Sequence, residues 1–289
     1  MRSAAGWIVP LAVAGLVLAA IVWLVRRAEP RLAFFPLAGE DVTPRAFGID
    51  YIATTIDTED GERLQGWRLP RPDAEARVLY FHGNGGNLSL WSDVLAGLWN
   101  QRLDVTAIDY RGYGLSTGAP SEQGLYRDVD ALLRLVDRET NEKRVPLVYW
   151  GRSLGTTFAA YAATRRPPDG VVLEAGFPSM RAVLEGNPVL WALSFLSRYR
   201  FPTAEWMAAV DRPTLVLHGD RDSVIPYRLG QRLYDSLSGP KRFFTIRGGD
   251  HNDLTPRDEP AYWAALHEFV ASINPSRTPA SPLPFHREP

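Results

Sequence analysis

The sequence predicts an α/β fold, with a mostly parallel central sheet, helices on both faces and a small helical insertion, preceded by one N-terminal transmembrane helix. Three observations predict it. Short apolar runs alternate with helical patterns through most of the chain. Several of those runs lack polar alternation, as strands covered on both faces do. A charge-free apolar segment stands apart at the N-terminus.

That segment comes first. Residues 7–25, WIVPLAVAGLVLAAIVWLV, form nineteen residues without a charge. At 1.5 Å per residue a helix of that length crosses the hydrocarbon core of about 30 Å. Trp7 and Trp23 sit near its ends, where interfacial aromatics are favoured, and Arg26, Arg27 and Arg31 follow. Pro10 falls in the first turn, where a missing N–H costs little. The run reads as a single-pass membrane anchor. A cleaved signal peptide is the rival: Ala19 and Ala20 would suit a peptidase, but the run is long for a signal core and Trp23, Leu24 and Val25 continue it. Arginine placement leans towards a cytoplasmic catalytic domain by about one charge, which leaves the side open.

Residues 26–48 carry Pro30, Pro36 and Pro44 and read as a linker. The main domain is expected over residues 49–273. Residues 49–57 have the alternation and β-branching of a strand, and Asp60 with Gly61 marks a hairpin turn into a second. Apolar strands follow at 77–83, 104–110, 145–151, 170–176, 213–219 and 241–249, with helical patterns at 89–100, 121–139, 153–166, 226–237 and 259–273. This alternation implies a mostly parallel sheet with an antiparallel hairpin at one edge. Residues 177–212 exceed a simple crossover and have room for two or three short helices, either a small cap or ordinary packing. The Pro- and Ser-rich residues 274–289 read as a disordered tail.

Bulk properties exclude several functions. A formal net charge of −1 gives no basic excess for nucleic acid. With no cysteine, disulfides, thiolate catalysis and Cys-ligated zinc are out. The glycine-rich loop lacks a Walker lysine, and no dinucleotide fingerprint is present. No metal or organic cofactor is expected.

The chemistry centres on GRSLG, residues 151–155. An apolar strand ends at Gly151 and an Ala-rich helical pattern follows Gly155, so Ser153 stands at a tight strand-to-helix turn. A serine hydroxyl is a poor nucleophile unless a base takes its proton. His251 sits on a loop between the last strand and the last helix, where this architecture carries its base. His286 lies in the tail, His267 inside a helix, and His82 and His218 end strands. Asp220 and Asp222 both lie on the loop after the preceding strand, and either carboxylate suits the order Ser, acid, His. An oxyanion needs two donors. The backbone N–H of Leu154 is one candidate, and that of Asn84, in the loop FHGNGGNLSLW, is the other.

HGNGGN, DYRGYGLSTG, GRSLG, HGDRDSVIP and GGDHND together resemble the α/β-hydrolase superfamily, and within it the membrane-anchored Bem46-like branch related to serine aminopeptidase-like hydrolases and mammalian depalmitoylases. The resemblance covers residues 49–273. It implies Ser153 as nucleophile, His251 as base and Asp222 as the acid that orients it, because the family's acid stands three residues after the His-Gly pair. DYRGYGLSTG reads as a structural loop. The implied function is a membrane-anchored serine hydrolase that cleaves acyl esters or thioesters of a small molecule, lipid or acylated protein through an acyl-enzyme. A serine peptidase is the alternative, and a silent membrane-tethered scaffold a third reading.

Overall fold

The computed structural model describes residues 8–138, 145–253 and 259–274. In chain order they form α1 (Ile8–Ala33), β1 (Phe35–Pro36), a 3-10 turn at Pro44–Phe47, β2 (Ile52–Asp57), β3 (Arg63–Leu69), β4 (Ala76–Phe81), β5 (Gly85–Gly86), α2 (Leu88–Asn100), β6 (Leu103–Ile108) and α3 (Glu122–Arg138). Then come β7 (Leu147–Arg152), α4 (Gly155–Arg165), β8 (Gly170–Glu174), α5 (Met180–Leu184), α6 (Pro188–Leu193), α7 (Thr203–Ala208), β9 (Thr214–Gly219), α8 (Tyr227–Asp235), β10 (Lys241–Ile246) and α9 (Glu259–Ser272).

Eight strands make one sheet in the order β10-β9-β8-β7-β4-β6-β3-β2. β4, β6, β7, β8 and β9 are buried along their whole length, which is why their sequences show no alternation. β2 at the edge is mostly exposed. The β2–β3 and β3–β6 pairs are antiparallel and the rest parallel, so the predicted hairpin does lie at one edge. Two apolar layers flank the sheet. Leu125 and Leu132 of α3, Phe158 of α4 and Leu233 of α8 belong to one. Leu95 and Leu98 of α2 and Leu266 and Phe269 of α9 belong to the other. β4 pairs with β6 on one side and β7 on the other. The order therefore reverses at β4, and the crevice outside its carboxyl end is where open α/β sheets hold ligands.

The expected linker at 26–48 is corrected. α1 runs on to Ala33, through Pro30. Pro30 has no N–H to give the carbonyl of Arg26 four residues earlier. The Nη2 of Arg198 donates to that carbonyl instead, at 3.0 Å. Glu29 is buried and accepts from the backbone N–H of Arg198 at 2.8 Å and from its Nε at 3.3 Å. Phe34 is buried edge-on against Tyr199 and Phe201, with ring centroids at 5.4 and 6.1 Å. Burying such a ring contributes about 1.5–3 kcal/mol. Residues 35–39 then form a strap. β1 pairs in parallel with β5, Leu37 N–H donates to Gly86 O at 2.9 Å, and Gly39 N–H donates to Gly114 O at 2.9 Å. Proline spacing signals a linker only when nothing replaces the lost hydrogen bonds, and here the insertion and the loop after β4 replace them.

Residues 177–212 hold three short helices, α5, α6 and α7. Trp7 and the expected disordered tail beyond Asn274 lie outside the described residues. Among the described residues α1 is the one helix long and apolar enough to span a membrane.

Candidate active site

Close packing shapes the turn after β7. A Cβ on Gly155 would lie 2.0 Å from the carbonyl oxygen of Phe81, and one on Gly151 would lie 2.3 Å from that of Gly155. Only glycine lets α4 start this close to β4 and β7. Between them Ser153 takes φ 54°, a left-handed value that costs a non-glycine residue roughly 1–3 kcal/mol. The surroundings hold it there. Ser153 N–H donates to Glu174 O at 2.8 Å, and Thr156 returns its N–H and Oγ1 to Ser153 O at 3.0 and 2.6 Å.

The structure brings Ser153, His251 and Asp222 together from the ends of β7, β10 and β9. Ser153 Oγ is 3.0 Å from His251 Nε2, and His251 Nδ1 is 2.8 Å from Asp222 Oδ2. The other oxygen of Asp222 accepts the N–H groups of Val224 and Ile225 at 3.0 and 2.6 Å. Burial works against a charge on Asp222, but hydrogen bonds from His218 and His251 outweigh it and hold the carboxyl well below the usual range. An ionised carboxylate has no proton to give, so in this contact His251 donates from Nδ1 and its Nε2 faces the serine hydroxyl. Asp220 points elsewhere and accepts Gly248 N–H at 2.6 Å.

Asn84 and Leu154 are where the sequence reading put the oxyanion donors. Among the described residues neither backbone N–H is engaged in a hydrogen bond. The loop carrying Asn84 is fixed from several directions. Tyr113 Oη donates to Asn84 O at 2.9 Å, His82 Nδ1 contacts Gly83 O at 2.8 Å, and β1 pairs with β5. Beneath it, burial pushes Asp109 up to about 7, although its Oδ1 accepts Leu88 N–H at 2.9 Å. Burial also lowers His82 to about 4, and its Nε2 is 3.7 Å from Asp109.

Sequence reasoning missed two supporting residues. Arg152 is buried, pairs with Glu174 at 3.0 Å, and donates Nη2 to the carbonyls of His251 and Asp253 at 3.1 and 2.9 Å. It thus ties the turn that carries Ser153 to the histidine loop. Glu174 also accepts Trp150 Nε1 at 3.0 Å and Tyr262 Oη at 3.3 Å. The available signal was a charged residue at the end of each of two otherwise apolar strands, β7 and β8. Arg111, in DYRGYGLSTG, is structural: it forks between Asp60 and Asp128 at 2.8 Å each. Among the described residues no cluster of three His, Asp or Glu side chains is arranged to hold a metal.

Sheet order, strained serine turn and carboxyl-edge site define an α/β-hydrolase, and comparison with known proteins agrees: the chain belongs to the α/β-hydrolase superfamily. The family model described as serine aminopeptidase, S33, matches residues 72–211. The uncharacterized protein Rv2307c of Mycobacterium tuberculosis is 32% identical over 267 residues, 90% of this chain and 93% of that protein. The uncharacterized membrane protein YNL320W of Saccharomyces cerevisiae is 32% identical over 235 residues, 79% of this chain and 82% of that protein. Among solved structures, the Pyrococcus furiosus esterase Pf2001 superposes with a TM-score of 0.68 at 17% identity, covering 82% of this chain and 97% of that one. XC6422 of Xanthomonas campestris, a serine hydrolase without a lid, gives 0.58 at 19% identity, covering 79% and 97%.

Proposed function

We propose that this chain is a membrane-anchored serine hydrolase that cleaves acyl esters or thioesters. One observation carries the reading: the relay of 3.0 Å from Ser153 to His251 and 2.8 Å from His251 to Asp222, on a serine strained to φ 54°. His251 takes the hydroxyl proton as Ser153 Oγ attacks the carbonyl carbon. Negative charge gathers on the carbonyl oxygen, and the N–H groups of Asn84 and Leu154 hold it. The protonated His251 then gives its proton to the leaving alcohol or thiol, leaving an acyl group on Ser153. Water, deprotonated by His251, releases the acid and restores the serine. Asp222 keeps its negative charge throughout and stabilises the transient imidazolium.

A fluorophosphonate probe tests the reading, since only an activated serine reacts with it. The full-length chain takes the label at Ser153 and hydrolyses p-nitrophenyl esters; no labelling under conditions where the chain is folded would sink the proposal. Aminoacyl p-nitroanilides in the same assay measure the peptidase alternative, which the serine aminopeptidase model match favours.

The anchor is the second part of the proposal. α1 exposes Leu11, Leu16, Leu18 and Leu24 along its length, with Arg26, Arg27 and Arg31 at its end. Exposed leucines through so many turns need a hydrocarbon surrounding. The full-length chain is expected to sediment with membranes and to resist carbonate extraction. A mature N-terminus shortened by about 20 residues in mass spectrometry would mean a cleaved signal peptide instead.

A further inference from the structure

α1 is not a tether on a loose string. It ends on the domain through Glu29–Arg198 and the Arg26 carbonyl, and the next residue after the helix, Phe34, is in the core. The charge-free run ends at Val25, and Glu29 comes four residues later, a rise of about 6 Å. The headgroup layer on one side of a bilayer is about 5–8 Å thick. If α1 spans a membrane, Arg198 therefore sits at the outer edge of that layer, and the domain surface around it has no room to stand away.

That surface is apolar where it meets the helix. On one side of Ser153, the strap beside the Asn84 loop exposes Phe35 and Leu37. On the other side, the insertion that follows β8 exposes Val189, Leu190, Trp191 and Phe195, the last only three residues before Arg198. Residues 188–192 of α6 are exposed, Leu193 is half-buried, and none of its residues is buried. Around them stand exposed arginines: Arg26, Arg27 and Arg31 on α1, and Arg181 and Arg200 on the insertion. Arg181 lies over the Phe195 ring at 3.9 Å. Two acids beside them are already paired, Glu29 with Arg198 and Glu185 with Arg232, while Glu40 and Asp41 follow the strap and Glu40 accepts Trp67 Nε1 at 3.0 Å. Large apolar side chains ringed by unneutralised arginines complement an anionic lipid surface, where each basic residue adds attraction to the headgroups.

We propose that the catalytic domain rests on the same bilayer leaflet that α1 leaves, with the strap and α6 dipped among anionic headgroups, so that the Ser153 site opens towards lipid. The proposal rests on the anchor reading of α1. It places the substrate in the membrane phase and makes the strap and α6 the two rims past which an acyl chain enters.

The chain has no cysteine, so single cysteines are read without background. Leu190→Cys, Leu37→Cys and, as a control at the opposite end of the sheet, Asp211→Cys are made in the full-length chain. Each is labelled with an environment-sensitive fluorophore and reconstituted in vesicles of equal parts phosphatidylcholine and phosphatidylglycerol. A thermal melt matching the parent chain shows that each labelled protein is folded. The labels at 190 and 37 are expected to be quenched by lipids carrying a headgroup-depth nitroxide and to react several-fold more slowly with aqueous dithionite than the label at 211. In pure phosphatidylcholine this protection is expected to weaken. Dithionite rates at 190 and 37 equal to that at 211, in a chain that still resists carbonate, would overturn the proposal and leave the anchor standing. Release of the chain by carbonate would overturn both. Protection from dithionite without nitroxide quenching, accompanied by cross-linking into pairs, would mean that a second copy covers the surface and would also overturn it.

Discussion

The serine turn follows β7 and the α6 insertion follows the neighbouring β8, at the same edge of one sheet, yet they are held in opposite ways. The turn is locked from inside. Glycines let backbone meet backbone, a buried Arg152–Glu174 pair ties β7 to β8 and to the histidine loop, and the strained Ser153 is fixed by three hydrogen bonds. The insertion makes its hydrogen bonds mostly to itself. Asn187 caps α6 with its own side chain, and the large apolar residues of α6 face out. Rigid geometry is what a relay of 3.0 and 2.8 Å requires. Apolar side chains turned away from the core stabilise nothing in the isolated domain, and make sense only against another apolar phase.

The largest expected effect breaks the first region at its centre. Ser153→Ala removes one hydroxyl without leaving a cavity and leaves the backbone conformation as it is, so the fold persists while ester turnover falls on the order of 10⁶-fold and fluorophosphonate labelling vanishes. Labelling of that variant at the parent level would place the nucleophile elsewhere. Next comes Asp222→Asn, which favours the wrong tautomer of His251 and is expected to cost about 10⁴ in kcat. Asp220→Asn, at a carboxyl that accepts Gly248 N–H rather than facing His251, should leave kcat within a few-fold. A reversed order in stopped-flow ester hydrolysis would transfer the role to Asp220.

The ion pair sharpens the contrast in stability. Arg152→Met strands the buried Glu174 charge and is expected to cost about 3–5 kcal/mol in chemical denaturation. Adding Glu174→Leu should recover most of that loss; a double variant as unstable as the single one would show that packing, not the stranded charge, is responsible.

The pH dependence of stability separates two carboxyls. The folded state holds Asp109 at about 7, above its unfolded value, so folded protein binds the extra proton between pH 4 and 7. Stability from this group is thus full below pH 4 and declines as the pH rises to about 7. Asp222 acts oppositely: its carboxyl is depressed, so its contribution is present above pH 4 and disappears on acidification below that. Asp109→Asn should flatten the decline between pH 4 and 7 in a series of thermal melts, and an unchanged slope would assign that decline to another group. The smallest effect belongs to the insertion. Trp191→Ser should change the stability of the detergent-solubilised chain by no more than about 0.5 kcal/mol, because the ring is largely outside the core. A loss of several kcal/mol would show that α6 packs on the domain after all.

Much of this was legible in the residue order. Strands without alternation announced a sheet covered on both faces, and β4, β6, β7, β8 and β9 are buried along their length. Two glycines around a serine at a strand end announced the turn, because the close approach there admits no side chain. The run of residues 26–48 was misread because its prolines resemble those of a linker, while the partners that make it structure, Arg198 and Gly86, stand far away in sequence.

The sequence by itself determined the periodicities, and with them the kind of layers, the eight strands of the main sheet and the positions of Ser153, His251 and both candidate aspartates. These are local properties, set by side-chain polarity, backbone freedom at glycine and the spacing of apolar residues. Residue order left Asp220 and Asp222 both open, the family resemblance pointed to Asp222, and the structure sets Asp222 against His251; only the tertiary structure decided that Arg152 and Glu174 bind the serine turn to the histidine loop and that the strap after α1 pairs with the Asn84 loop. Those are contacts between residues from 22 to about 100 positions apart. Their existence depends on how the strands are ordered in the sheet, which no local pattern specifies.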